Sequence, residues 1–182
     1  RGGRGGRAVQ AATIARQAEA PPTHTAGPSL EAVLAFARSG PANEKLAADL
    51  GPVDPALADG INAKLRAAGI ETDVSGFHHE VDNFAIRHAR KGHSAIASEL
   101  PRGQLPLSDA DFLRIPEILR TPDAIETVGK TKVGRDAIGY WKVFEDGTVY
   151  YVEEIRTGRR RLAMTAMRKY KSRDGTPGRP DA

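Results

Sequence analysis

The chain has 182 residues, 40% of them apolar, 5% aromatic and none cysteine, and it carries a net charge of +4. That length predicts one compact domain with an appendage, at roughly 100–200 residues per domain. The absent cysteines exclude disulfides, thiolate catalysis, Cys-type zinc sites and iron–sulfur clusters, and no apolar run approaches the roughly 20 residues of a membrane span.

Residues 1–28 mix Gly, Ala, Arg and Pro with few large apolar side chains, so ordering them would not be offset by burial, and they read as a flexible linker. From Ser29 the pattern turns helical: Leu30, Val33, Leu34 and Ala37 share one face and Gly40 stops the run. The spacing predicts a shorter helix from Asn43 to Leu50. A third starts at Asp54 and Pro55, with Leu57, Ile61, Leu65 and Ala68 inward and Gly69 closing it. Residues 29–69 thus read as a helical lead-in to a domain spanning 70–172.

A short extended segment is expected from Ile70. A helix over 80–91 follows, placing Val81, Phe84, Ala85 and His88 on its inward face. Ser108 with Asp111 resembles a capping pair, and Pro116 opens another short helix. After Thr121-Pro122 the runs AIGYWKVFE, TVYYVEEIR and RRLAMTAMR, joined by Asp146-Gly147 and Thr157-Gly158 turns, predict an antiparallel meander, and 173–182 a disordered tail. Helices first and strands last predict an α+β fold, with N-terminal helices packed on a C-terminal antiparallel β-meander sheet.

Charge is uneven along this plan. Residues 1–30 are +3, the stretch 156–182 has nine Lys or Arg against Asp174 and Asp181 for +7, and the middle is −6. A basic end on an acidic body predicts a polyanion-facing edge, because Lys and Arg release counterions from phosphates. A solvated basic tail is the alternative.

Four of the five histidines, His78, His79, His88 and His93, fall within sixteen residues. The spacing is not HExxH and nothing obvious completes a zinc set, so no metal is expected. Imidazoles suit general acid/base work near neutral pH; a satisfied core His88 and a solvated His93 are the structural alternative. Strand alternation puts Tyr140, Lys142 and Phe144 on one face of the meander, and sets Leu162, Met164 and Ala166 opposite Ala163, Thr165 and Met167. Lys142 between aromatics fits a phosphate clamp or a snorkelling edge residue. No Walker A or GxGxxG sequence is present, so no cofactor is expected.

The elements GFHHEVDN, AIRHARKGH, SELPRGQLPLS, DADFLRIPEILRTPDAI, GYWKVFEDGTVYYVEEIR and RRLAMTAMRKYK occur in this order from about Phe77 to Lys171. Together they resemble the phage- and polymorphic-toxin-associated branch of the barnase, EndoU, colicin and RelE-like endoribonuclease superfamily. The resemblance implies a helix and a four-stranded sheet, and metal-independent RNA cleavage, with tRNA among the substrates. Carried over by position, His88 and His93 are the helical histidines, Lys142 the positively charged strand residue and Thr165 the last-strand hydroxyl, with Ala166 as the other alignment of that slot. Arg102 and Gln104 match an R-G-Q element, and Ser94 replaces a frequent Gly.

The implied reaction is attack by the ribose 2′-hydroxyl, giving a 2′,3′-cyclic phosphate. His88 or His93 is the base, the other His or Tyr170 the acid, and Lys142, Arg102 and Thr165 hold the phosphate charge. Tyr140, Arg168 and Lys171 would contact RNA. Such domains are cargo of larger polypeptides, act in a target cell's cytoplasm and are silenced by an immunity protein. The rival expectation is a non-catalytic phage- or plasmid-derived module that binds nucleic acid or protein on the same fold.

Overall fold

The computed structural model describes residues 27–93, 103–130 and 134–171. Helix α1 spans Leu30–Ser39, capped by the Ser29 hydroxyl accepting from the Ala32 N–H at 3.1 Å, and buries Leu30, Val33, Leu34 and Ala37 as its spacing predicts. Strand β1, Ala47–Pro52, then replaces the helix expected over 43–50. Its apolar run is too short for period to distinguish helix from strand, and pairing with distant residues decides: Ala48 sits opposite Val81. Helix α2, Pro55–Ala67, is capped by the Asp54 carboxylate, which accepts from the Ala56 and Leu57 N–H groups.

Strand β2, His78–Asp82, occupies the start of the helix expected over 80–91, and α3 runs Asn83–His93. Next come β3 (Gln104–Leu105), α4 (Asp109–Phe112) and α5 (Ile115–Arg120). The last four strands are β4 (Ala124–Lys130), β5 (Asp136–Val143), β6 (Thr148–Arg156) and β7 (Arg161–Lys171). The meander is present, extended by the unforeseen β4. In the β6–β7 turn, expected around Thr157-Gly158, the left-handed residue is Arg160 (φ 58°).

The sheet runs β1-β2-β7-β6-β5-β4, with β3 also on β7, seven strands among the described residues. Of these pairings β2 with β7 is parallel and the rest are antiparallel. The architecture is α+β. Residues 29–69 are packed into the fold: β1 lengthens the sheet, and α1 and α2 share one core with β5, β6 and β7. The linker expected at 1–28 and the tail at 173–182 lie outside the described residues, apart from Gly27 and Pro28.

A single irregularity in β7 sets the two faces of the sheet. Glu153 pairs with Ala166 but Glu154 with Met164, so Thr165 is the extra residue of a β-bulge. Alternation reverses there. Leu162, Met164 and Met167 all face the helices, whereas Ala166, expected with the first two, changes side, as do Arg168 and Tyr170.

Candidate active site

On the sheet face turned away from the helices, strand pairing sets side chains in rows. Glu126, Gly139, Glu153 and Ala166 form one; Ala124, Trp141, Tyr151 and Arg168 the next; Val143, Val149 and Tyr170, extended by Gln104, a third. Trp141 tilts against Tyr151 with ring centroids 4.8 Å apart and against Tyr170 at 5.8 Å. Gly139 lets the Tyr151 ring lean across the sheet, since a Cβ there would stand 2.6 Å from its Cε2 and 2.8 Å from its Oη.

So placed, Tyr151 Oη donates to Glu153 Oε2 at 2.7 Å. Burial, then the hydrogen bond and charge of Glu153, then the charge of Glu126, raise the Tyr151 pKa far above the usual phenol value, with Arg168 opposing. The phenol stays protonated and orients the carboxylate. Arg168 Cζ lies 5.8 Å from the Tyr151 ring centre. Its Nε–H and the Gln104 Oε1 are buried without a hydrogen-bond partner. An unpaired buried polar atom costs about 1–3 kcal/mol, so a donor and an acceptor left open on the face that carries this carboxylate favour a polar ligand there.

The residues singled out from sequence are divided by the sheet. Gln104, Arg168 and Tyr170 belong to this face, and Thr165 reaches the same edge, its Oγ1 donating to the Glu153 carbonyl at 3.4 Å. Lys142 and Tyr140 face the helices. Lys142 Nζ donates to the Thr121 carbonyl at 2.7 Å, while Tyr140 is fully buried and cannot offer a ring to a base.

His88 is exposed, because α3 buries Ala85, Ile86 and Ala89 instead of the face expected from Phe84 and His88. No hydrogen bond, ion pair or ring contact joins it to Lys142 or Thr165 among the described residues. Lys171 is exposed at the end of β7. His93 closes α3, but its side chain, like all of Arg102, lies outside the described residues. Glu153, Tyr151 and Gly139 were not foreseen; their signals are a Gly inside a strand run and the alternation that puts Tyr151 and Glu153 on one face.

A family model described as phage-Barnase-EndoU-ColicinE5/D-RelE like nuclease3 matches residues 57–175, well over half the chain. The chain belongs to that family. No curated protein and no solved structure matched. The match runs from α2 to just beyond β7, so it takes in every row on this sheet face and leaves α1 and β1 outside.

This nuclease also holds two polar clusters on the helix side. The Asp111 carboxylate accepts from the Ser108 N–H at 2.7 Å, the Ser108 hydroxyl at 2.9 Å and the Tyr150 hydroxyl, and pairs with Lys169 Nζ at 3.0 Å. Burial alone would raise its pKa, but the bonds from Tyr150, the Ser108 backbone and Lys169 hold it below the usual value. Tyr150 is pushed up by burial and then by Asp111, and Arg114 lies 4.4 Å over the Phe144 ring. This cluster ties α4 to β6 and β7. The second is a buried pair, His79 Nδ1 with both Glu154 oxygens at 2.9 and 3.0 Å.

Proposed function

We propose that this nuclease is an endoribonuclease that cuts RNA, tRNA among its substrates, without a metal ion, on the sheet face away from the helices. Glu153 takes the proton from a ribose 2′-hydroxyl. The 2′-oxygen attacks the adjacent phosphorus, the bond to the 5′-oxygen breaks, and Tyr170 gives that oxygen its proton. The products are a 2′,3′-cyclic phosphate and a 5′-hydroxyl. Arg168 and the Gln104 amide bind the phosphate as charge builds on it, and each charge change thereby has a protein group assigned. The observation that carries the reading is the buried, unpartnered Arg168 Nε–H, one row along the same sheet face from the Tyr151-oriented Glu153 carboxylate.

Relative to the sequence expectation, the base moves from His88 to Glu153 and the cation from Lys142 to Arg168. His93, carried over from the family pattern, is the other group able to protonate the leaving oxygen, and His93→Ala distinguishes it from Tyr170→Phe. The basic β7 and its turn, Arg159 to Lys171, track the RNA backbone. In this reading the domain is toxin cargo of a larger polypeptide, acts in the cytoplasm of a target cell and is silenced by an immunity protein.

The near-complete burial of Trp141, Tyr151 and Tyr170 favours the rival reading, a non-catalytic module that binds nucleic acid or protein. Incubation of the purified chain with total RNA and tRNA in excess EDTA decides between them. Cleavage to cyclic phosphate ends supports the proposal; intact RNA, or cutting only after divalent metal is restored, overturns it.

A further inference from the structure

On the helix side, a cavity of about 460 Å³ opens between the β1–α2 junction and α5. Its walls come from Leu50, Pro52, Val53, Pro116 and Leu119, and His79 is among its lining residues. His79 is 4% exposed, and its Nδ1 faces the fully buried Glu154 carboxylate. That contact occupies Nδ1 and leaves Nε2 as the ring nitrogen not engaged by the carboxylate. Nε2 makes no hydrogen bond among the described residues, so it is the ring atom available to the cavity. Arg120, exposed and likewise without a hydrogen bond or ion pair among them, stands on the same lining. The lining carboxylate, Asp54, is engaged by the N–H groups that begin α2.

These features define a ligand. Proline and aliphatic walls suit a flat ring, an imidazole nitrogen suits a hydrogen-bonding edge of that ring, and a cation suits a phosphate. The volume lies within the about 300–1,000 Å³ of small-molecule sites. We infer that this cavity binds a mononucleotide, the base meeting His79 Nε2 and the phosphate meeting Arg120. The inference rests on the nuclease reading for the supply of nucleotides, but the site is separate from the Glu153 face, from which the sheet divides it. The His79–Glu154 pair then has a purpose beyond stability: it fixes which ring nitrogen meets the cavity.

The test titrates the full chain with AMP, GMP, CMP and UMP, and in parallel with adenosine, uridine and inorganic phosphate, while NMR follows the His79 ring nitrogens. At least one mononucleotide should shift the His79 signals at or below about 1 mM. Arg120→Ala, a surface change, should weaken that nucleotide at least about tenfold while leaving the matching nucleoside unaltered, a loss of about 1.4 kcal/mol. His79→Phe should abolish binding.

No shift with any nucleotide overturns the inference, as does phosphate binding as tightly as the nucleotide or a nucleotide affinity indifferent to Arg120→Ala. RNA cleavage in EDTA is scored on the same samples. Cutting without nucleotide binding defeats the cavity alone, and nucleotide binding without cutting defeats the proposed nuclease mechanism alone.

Discussion

Gly139 shows how one absent side chain shapes the proposed site. Any Cβ at this position meets the ring and hydroxyl of the buried Tyr151 side chain below 3 Å. Gly139→Ala should therefore push Tyr151 off Glu153, cost about 1–3 kcal/mol by overpacking and lower RNA cleavage, readable by urea unfolding and a cleavage assay on the same sample. Glu153→Gln keeps the shape and the hydrogen bond from Tyr151 but removes the base. Turnover should fall about 10²–10⁴-fold, with RNA affinity within a few fold by fluorescence anisotropy. Neither residue was legible as functional. A glutamate in a strand and a glycine between aromatics carry no chemical signature until pairing sets Gly139 beside Glu153, whereas histidines attract attention by type alone, which is how the exposed His88 came to the fore.

The β7 bulge decides which element presents what. Without the extra residue at Thr165, alternation from Leu162 would turn Arg168 and Tyr170 into the helix-side core and expel Met167 and Lys169 from it. The helix α1, the caps of α1 and α2, and the three meander strands were readable because they rest on local spacing, caps and turns. Strands β1 to β4 were not, since each depends on partners far along the chain, and a bulge leaves no mark in residue type.

Beneath the bulge lies the His79–Glu154 pair, fully buried on the Glu154 side. Glu154→Ala should cost about 3–5 kcal/mol, the penalty for leaving one member of a buried pair alone. Chemical denaturation measures it.

For the molecule as a whole, the Asp111 cluster makes stability depend on pH at both ends. The carboxylate's pKa in the fold lies below its unfolded value near 3.8, so its stabilisation is complete above that pH and is lost as pH falls through the folded value. Tyr150 behaves oppositely: raised above 10.0, it contributes fully below that pH and less as pH rises toward the folded value. Thermal melts of Asp111→Asn should show lower stability at pH 7 and a shallower loss in acid than the unaltered chain. The basic β7 and its turn predict RNA affinity that falls steeply with added salt, log affinity declining linearly with log salt.

The face assignment is tested most sharply by single-turnover cleavage of RNA in excess EDTA by three proteins: unaltered, Arg168→Ala and His88→Ala. Arg168→Ala should lose about 10²–10³ in rate while His88→Ala cuts like the unaltered chain. Full activity in Arg168→Ala together with loss in His88→Ala would place the chemistry on the α3 side and refute the Glu153-face site.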